Sequence, residues 1–331
     1  MSAVELGFKV PDELYPLVDD HTLEVFEKWS RCSLDDMNSE MPKLSLLPTS
    51  RGRKIGAAVL LPKGDYDNRR AIALVTSYAQ KWKSVQNLIG KITQEIVAPE
   101  VPFYVFTNNG FLDNSAYELN DQELQTVAEG DLRPLAEQIV SALEGQGVDQ
   151  IGLTGYSFGG SVVPAVARVG SDVYEVTHMN IDEAPNTAKL IRDFRASTND
   201  GGSVTRDSGL PVSAEISAPP GIWLDYAAFI AAGLFNPSNR ALRKSLGHQR
   251  LMTDIKGALV EYPSMVVKLG SVAGSKLLEL DESVKAVTSA YPDNVRYKKY
   301  TGSAAHKHNT GDNTMAYALM VKDGLRNFTS S

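Results

Sequence analysis

Uninterrupted apolar runs and stretches of three-to-four-residue periodicity take turns along this chain. Residues 70–80 (RAIALVTSYAQ), 101–110 (VPFYVFTNNG) and 151–156 (IGLTGY) are apolar runs closed by small or polar residues. That is the pattern of strands buried on both faces. Residues 174–182, 264–271 and 295–300 read as further strands, and residues 43–62 as two strands joined by a polar turn at Pro48 and Gly52. Between them the period changes. Val85, Leu88, Ile89, Ile92 and Ile96 recur at helical spacing over 85–97. Helices are also predicted over 131–147, with Asp131 as cap and Gly145 or Gly147 as stop, over 280–292, and over 312–328 with Asp312 or Asn313 as cap. Alternation of this kind predicts an α/β architecture, a mainly parallel sheet with helices on both faces.

One span breaks the rhythm. Between the strands at 174–182 and 264–271 lie about eighty residues with a Gly/Ser-rich stretch (TNDGGSVTRDSGLPVSAEISAPPG) followed by helix-like segments. The organisation expected is a segment 1–42 packing on the core, a core of 43–185 and 263–331, and a helical cap or lid at 186–262, inserted after the sixth strand.

Composition narrows the functional classes. The 331 residues are 43% apolar and 22% charged, enough to bury a sizeable core. The net charge of −7 lacks the basic field of a nucleic-acid groove, so no nucleic-acid partner is expected. The single cysteine, Cys32, excludes a disulfide framework and a cysteine metal cluster. The first residues show no basic region followed by an apolar one, and no apolar run reaches spanning length. A cytoplasmic protein is the expectation, with no cofactor and no metal.

The chemistry-bearing stretch is Gly155-Tyr156-Ser157-Phe158-Gly159, a G-x-S-x-G pattern. Alone it is weak, since average Gly and Ser usage gives it by chance in about one such chain in ten. Here, however, it ends a predicted buried strand and opens a predicted helix. Small neighbours let such a turn close tightly. The serine is then forced into a strained conformation, with the helix N-terminus supplying a favourable field for negative charge. A structural reading competes: a bend that merely needs small residues.

With this elbow (GYSFGG), the order of elements over roughly residues 43–328 and the insertion after the sixth strand, the chain resembles the α/β-hydrolase superfamily. The resemblance implies a serine nucleophile, Ser157, and a triad in the order serine, acid, histidine, the last in the loop after the final strand. That loop carries His306 and His308. His306, preceded by glycine and small residues, is preferred as the base, and His308 is the alternative. His21, His178 and His248 do not fit the position.

The acid departs from the commoner pattern, because the loop after the seventh strand holds no carboxylate before Glu279, Asp281 and Glu282. Asp281 reads as a helix cap. Asp182, ending the sixth strand, is taken as the acid, with Glu183 and Glu279 behind it; a cap for a helix starting near Pro185 is the competing reading. The oxyanion hole implied by the resemblance uses the N–H groups of Phe158 and of Tyr78 or Ala79. In the insertion, residues 221–235 (GIWLDYAAFIAAGLF) are apolar nearly all round. They predict either a buried helix or a lid whose Trp223, Tyr226 and Phe229 line an apolar pocket.

The function expected is hydrolysis of an ester or thioester of a small-molecule acyl substrate. Two alternatives remain: a non-catalytic binding or structural protein of this fold, and amide hydrolysis, C–C hydrolysis or acyl transfer on the same triad.

Overall fold

A computed structural model describes residues 10–32, 44–49, 52–76, 83–106, 117–182, 184, 241–242, 245, 251–272, 282–301, 311–326 and 328. Among these, eight strands form one sheet: β1 (Leu44–Pro48), β2 (Lys54–Leu60), β3 (Arg70–Val75), β4 (Phe103–Phe106), β5 (Gln150–Tyr156), β6 (Glu175–Asp182), β7 (Val266–Val272) and β8 (Val295–Tyr300). Their spatial order is β1-β2-β4-β3-β5-β6-β7-β8. The hairpin β1–β2 and the β2–β4 pair are antiparallel. All other neighbours are parallel. Each strand expected from the sequence is present.

Helices cover both faces. On one lie α4 (Arg133–Glu144), α5 (Phe158–Val169), α6 (Leu251–Glu261) and α7 (Glu282–Ala290), whose apolar residues join Ala73, Leu153, Ile181 and Leu269 of the sheet in one core. On the other lie α1 (Asp20–Arg31), α2 (Lys83–Val97) and α8 (Gly311–Leu325), packed on Ile72, Leu74 and Val105. The strand residues that face one core alternate with those that face the other, as the period of two requires.

Several boundaries differ from the sequence reading. α4 is preceded by Leu132, which makes no capping bond; Asp131 instead accepts from the Arg133 N–H at 3.0 Å. α8 begins at Gly311, so neither Asp312 nor Asn313 caps it. α6 falls inside the span assigned to the insertion, yet Ile255 and Ala258 are wholly buried in the main core and Asp254 pairs with Arg168 of α5 at 2.8 Å.

The apolar periodicity does not mark two of the α-helices. The short α3 (Asp121–Ala128) starts with a capping box between Asn120 and Glu123. α1 starts at Asp19, whose Oδ1 accepts from the Thr22 N–H at 2.8 Å. Phe26 and Trp29 of α1 are buried, and the Trp29 indole donates to Glu95 Oε2 of α2 at 2.8 Å.

Candidate functional site

Parallel strands leave their C-terminal ends along one edge, where β5 leads into Ser157 and β6 ends at Asp182. Val75 lies beside Gly155, Tyr156 beside Asp182, Asp182 beside Gly270, and Val272 beside Tyr300. Ligands of open α/β sheets bind outside this edge.

Ser157 stands where β5 hands over to α5. Its backbone has φ 51° and ψ −122°, and among the described residues it is the one non-glycine with positive φ. Such a conformation costs about 1–3 kcal/mol and persists only where the surroundings enforce it. The enforcement is visible. The Ser157 N–H donates to the Asp182 carbonyl at 3.0 Å, and the Gly160 N–H donates to the Ser157 carbonyl at 3.0 Å.

Glycine is required on both sides. A Cβ on Gly159 would stand 1.9 Å from the Val75 carbonyl oxygen, and one on Gly155 would stand 2.5 Å from the Gly159 oxygen. The elbow is thus pressed against the end of β3. The Ser157 side chain makes no capping bond to α5, although serine is a preferred cap. A bend that only needed a cap would not place its serine so.

β3 ends at Val75, and Thr76 is fastened there by its N–H and hydroxyl, which donate to the Phe106 carbonyl at 3.0 and 3.2 Å. The chain then departs toward Tyr78 and Ala79, which lie outside the described residues. Phe158, expected to give the other oxyanion donor, is buried and is the first residue of α5. The positive end of the helix dipole is therefore at the serine.

Asp182 closes β6 wholly buried, on the face covered by α8. Its Oδ2 accepts from Asn180 Nδ2 at 2.6 Å, and Lys268 Nζ of β7 lies 2.9 Å from its Oδ1. The lysine is equally buried and also donates to the Met320 carbonyl at 2.7 Å. Burial pushes the Lys268 ammonium below its usual range, and Asp182 and Asp323 oppose that shift. Asp182 stands at the strand end that the sequence pattern indicates, whereas Lys268 is hidden in an apolar strand and no sequence pattern marks it.

The last strand ends at Tyr300. Thr301 donates from both its N–H and its hydroxyl to Glu13 Oε2, each at 2.9 Å. This fixes the point from which the chain leaves toward His306 and His308. Those two histidines lie outside the described residues, as do Glu183, Glu279, Asp281, His248, Trp223, Tyr226 and Phe229. Of the expected site, the structure brings together Ser157, Phe158 and Asp182. No group of His, Cys, Asp and Glu among the described residues could hold a metal ion. No helix among them is long and apolar enough to cross a membrane.

No protein-family model and no curated protein matches the sequence. Solved structures do match the fold. Proline iminopeptidase of Mycobacterium smegmatis superposes with a TM-score of 0.56 at 11% identity, over 87% of this chain and 99% of that one. Est1E from Butyrivibrio proteoclasticus gives 0.50 at 12% identity, over 87% and 99%. Naproxen esterase (carboxylesterase NP) from Bacillus subtilis gives 0.50 at 11% identity, over 94% and 98%.

Proposed function

We propose that this chain, which has the α/β-hydrolase fold, is a serine hydrolase that cleaves an ester or thioester through an acyl-enzyme on Ser157. The observation that carries the reading is the Ser157 backbone: a strained, non-capping serine at the junction of a buried strand and a helix, with a glycine jammed against β3 behind it. Strain kept at one serine is the mark of a nucleophile elbow rather than of an ordinary turn.

In this reading His306 takes the Ser157 proton and the oxygen attacks the carbonyl carbon. The N–H groups of Phe158 and Tyr78 hold the oxyanion, and the leaving group departs with the proton. Water then repeats the cycle through the same base. Asp182 is the acid that orients the imidazole and stabilises its charged form. Trp223, Tyr226 and Phe229 of the insertion would form the apolar wall for the acyl chain.

Labelling with a serine-directed fluorophosphonate tests the reading. The wild-type chain is expected to label with unit stoichiometry, and Ser157→Ala to abolish labelling while remaining folded. Labelling that persists in Ser157→Ala removes Ser157 as the nucleophile. A series of p-nitrophenyl esters then reads the acyl pocket, and equal rates for all chain lengths count against the three aromatics.

One observation favours a non-catalytic protein of this fold. The Asp182 carboxylate already has Lys268 and Asn180 as partners, which would be sufficient for a purely architectural role. That reading predicts a chain that takes up no fluorophosphonate and turns over no ester.

A further inference from the structure

Lys268 is the unexplained residue of the core. It occupies the middle of β7, between Val267 and Leu269, and its side chain is only 1% exposed. A leucine or methionine would fill such a position without desolvating a charge. The surroundings are instead built to receive the ammonium and the carboxylate together. Nζ reaches Asp182 Oδ1 and the Met320 carbonyl, and lies 5.0 Å from the centroid of the Tyr300 ring. Beside the carboxylate, β7 carries Gly270, where a Cβ would stand 1.9 Å from Asp182 Oδ1. Asn180 braces the other oxygen and also donates to Thr154 Oγ1 at 3.0 Å.

The remaining ionisable groups come from the two elements packed against this pair. From β8, Lys298 and the Tyr300 hydroxyl both donate to Asp323 Oδ2 of α8, at 3.0 and 2.8 Å. From α8, Tyr317 stands over Tyr156 of β5 at 5.1 Å between ring centroids. Burial raises both tyrosines far above their ordinary range, so both are neutral. The nearest charges are Lys268 and Lys298 against Asp182 and Asp323, with the Arg296 guanidinium of β8 also felt at Tyr300. Asp182 is the one of these four whose backbone carbonyl also receives the Ser157 N–H. The charge pair and the strained serine are therefore one connected unit.

We propose that Lys268 is a positioning residue for the reaction at Ser157, a fixed buried counter-charge that holds Asp182 as an oriented carboxylate at the foot of the elbow. The proposal rests on the reading of Asp182 as the acid of the site. Lys268 touches neither substrate nor the reacting atoms; it acts through Asp182. Because its positive charge partly offsets the carboxylate, it also tempers how strongly Asp182 raises the proton affinity of the base.

The test is the pH profile of kcat/KM in Lys268→Met and Lys268→Gln, the second keeping a donor toward Asp182 and Met320 in case the first does not fold. Removing the positive charge favours the protonated forms of both the carboxylate and the base. The acid limb is expected to move up by about one pH unit or more, with kcat falling further than KM changes. A folded neutral variant whose limb stays in place overturns the proposal, whether kcat is kept or falls, since loosened packing alone can lower kcat but leaves the limb unmoved.

Asp182→Asn separates the two ideas. If Asp182 is the acid, it slows kcat by about 10³- to 10⁴-fold. A loss below tenfold removes Asp182 as the acid and this proposal with it. A slow Asp182→Asn beside an unmoved limb in Lys268→Gln overturns this proposal alone.

Discussion

At the scale of single residues, strain and function compete at one backbone position. Ser157 is held at φ 51°, where a Cβ is unwelcome, and glycine would relieve the strain. The relief of about 1–3 kcal/mol outweighs the extra chain entropy that glycine loses on folding, about 0.5–1 kcal/mol. Ser157→Gly is therefore expected to be more stable than Ser157→Ala by about 1 kcal/mol, while neither takes up a fluorophosphonate. Urea unfolding of the two variants measures the difference, and an alanine variant at least as stable as the glycine one would show that the elbow is not strained. What the residues reveal unaided is uneven. The small neighbours of Ser157 are visible because a close approach excludes side chains locally. Lys268 is not visible, because the partner that makes its burial tolerable sits on another strand far away in sequence.

At the scale of elements, the strands could be read because parallel strands buried on both faces must be apolar along their whole length: RAIALV and FYVF need no partner to be recognised. Short helices with a narrow buried face were harder. Only four residues of α1 are buried, namely Thr22, Val25, Phe26 and Trp29, and its start depends on one side chain. Asp19 caps α1 and reaches across to α8, where Lys322 Nζ donates to its Oδ2 at 2.6 Å. Burial alone would raise the Asp19 carboxyl, but the bonds from Lys322 and Thr22 hold it down to about 2. A carboxylate depressed on folding stabilises the fold above its unfolded value of 3.8 and loses that contribution as pH falls toward 2. Asp19 is more than half exposed, so solvent weakens the ion pair and the cap is the main term. Asp19→Ala is expected to cost about 1 kcal/mol at pH 7 and clearly less near pH 2, where half of the folded chains have lost the carboxylate charge. Thermal melts at the two pH values would contradict this if the cost were the same at both.

At the scale of the whole molecule, the two edges of the sheet do opposite work. The C-terminal edge holds the strained serine, while the other end is packed by Phe328. Phe328 lies on Gly152, where a Cβ would come within 3.1 Å of its ring. The Arg70 guanidinium sits 5.1 Å from the ring centroid and donates to the Phe328 carbonyl, and the His178 imidazole meets the ring edge-on at 6.1 Å. His178 is buried. Its Nδ1 is bonded to Thr177 Oγ1 at 3.1 Å, and its Nε2 has no hydrogen-bond partner among the described residues. A proton on the ring would add a buried charge beside this packing. Burial first, and the nearby Arg296 second, accordingly lower its pKa below the ordinary 6.5. The sign follows from proton counting. Below about 6.5 the unfolded chain takes up a proton that the folded chain refuses, so stability falls as pH falls through that value and levels off only beneath the folded pKa. His178→Leu, which fills the site without a titrating group, is expected to remove this component. Subtracting its stability from that of the wild type between pH 8 and pH 5 should leave a curve that declines toward acid, the remaining histidines cancelling in the difference. A flat difference would mean that the imidazole accepts its proton without disturbing the Phe328 packing.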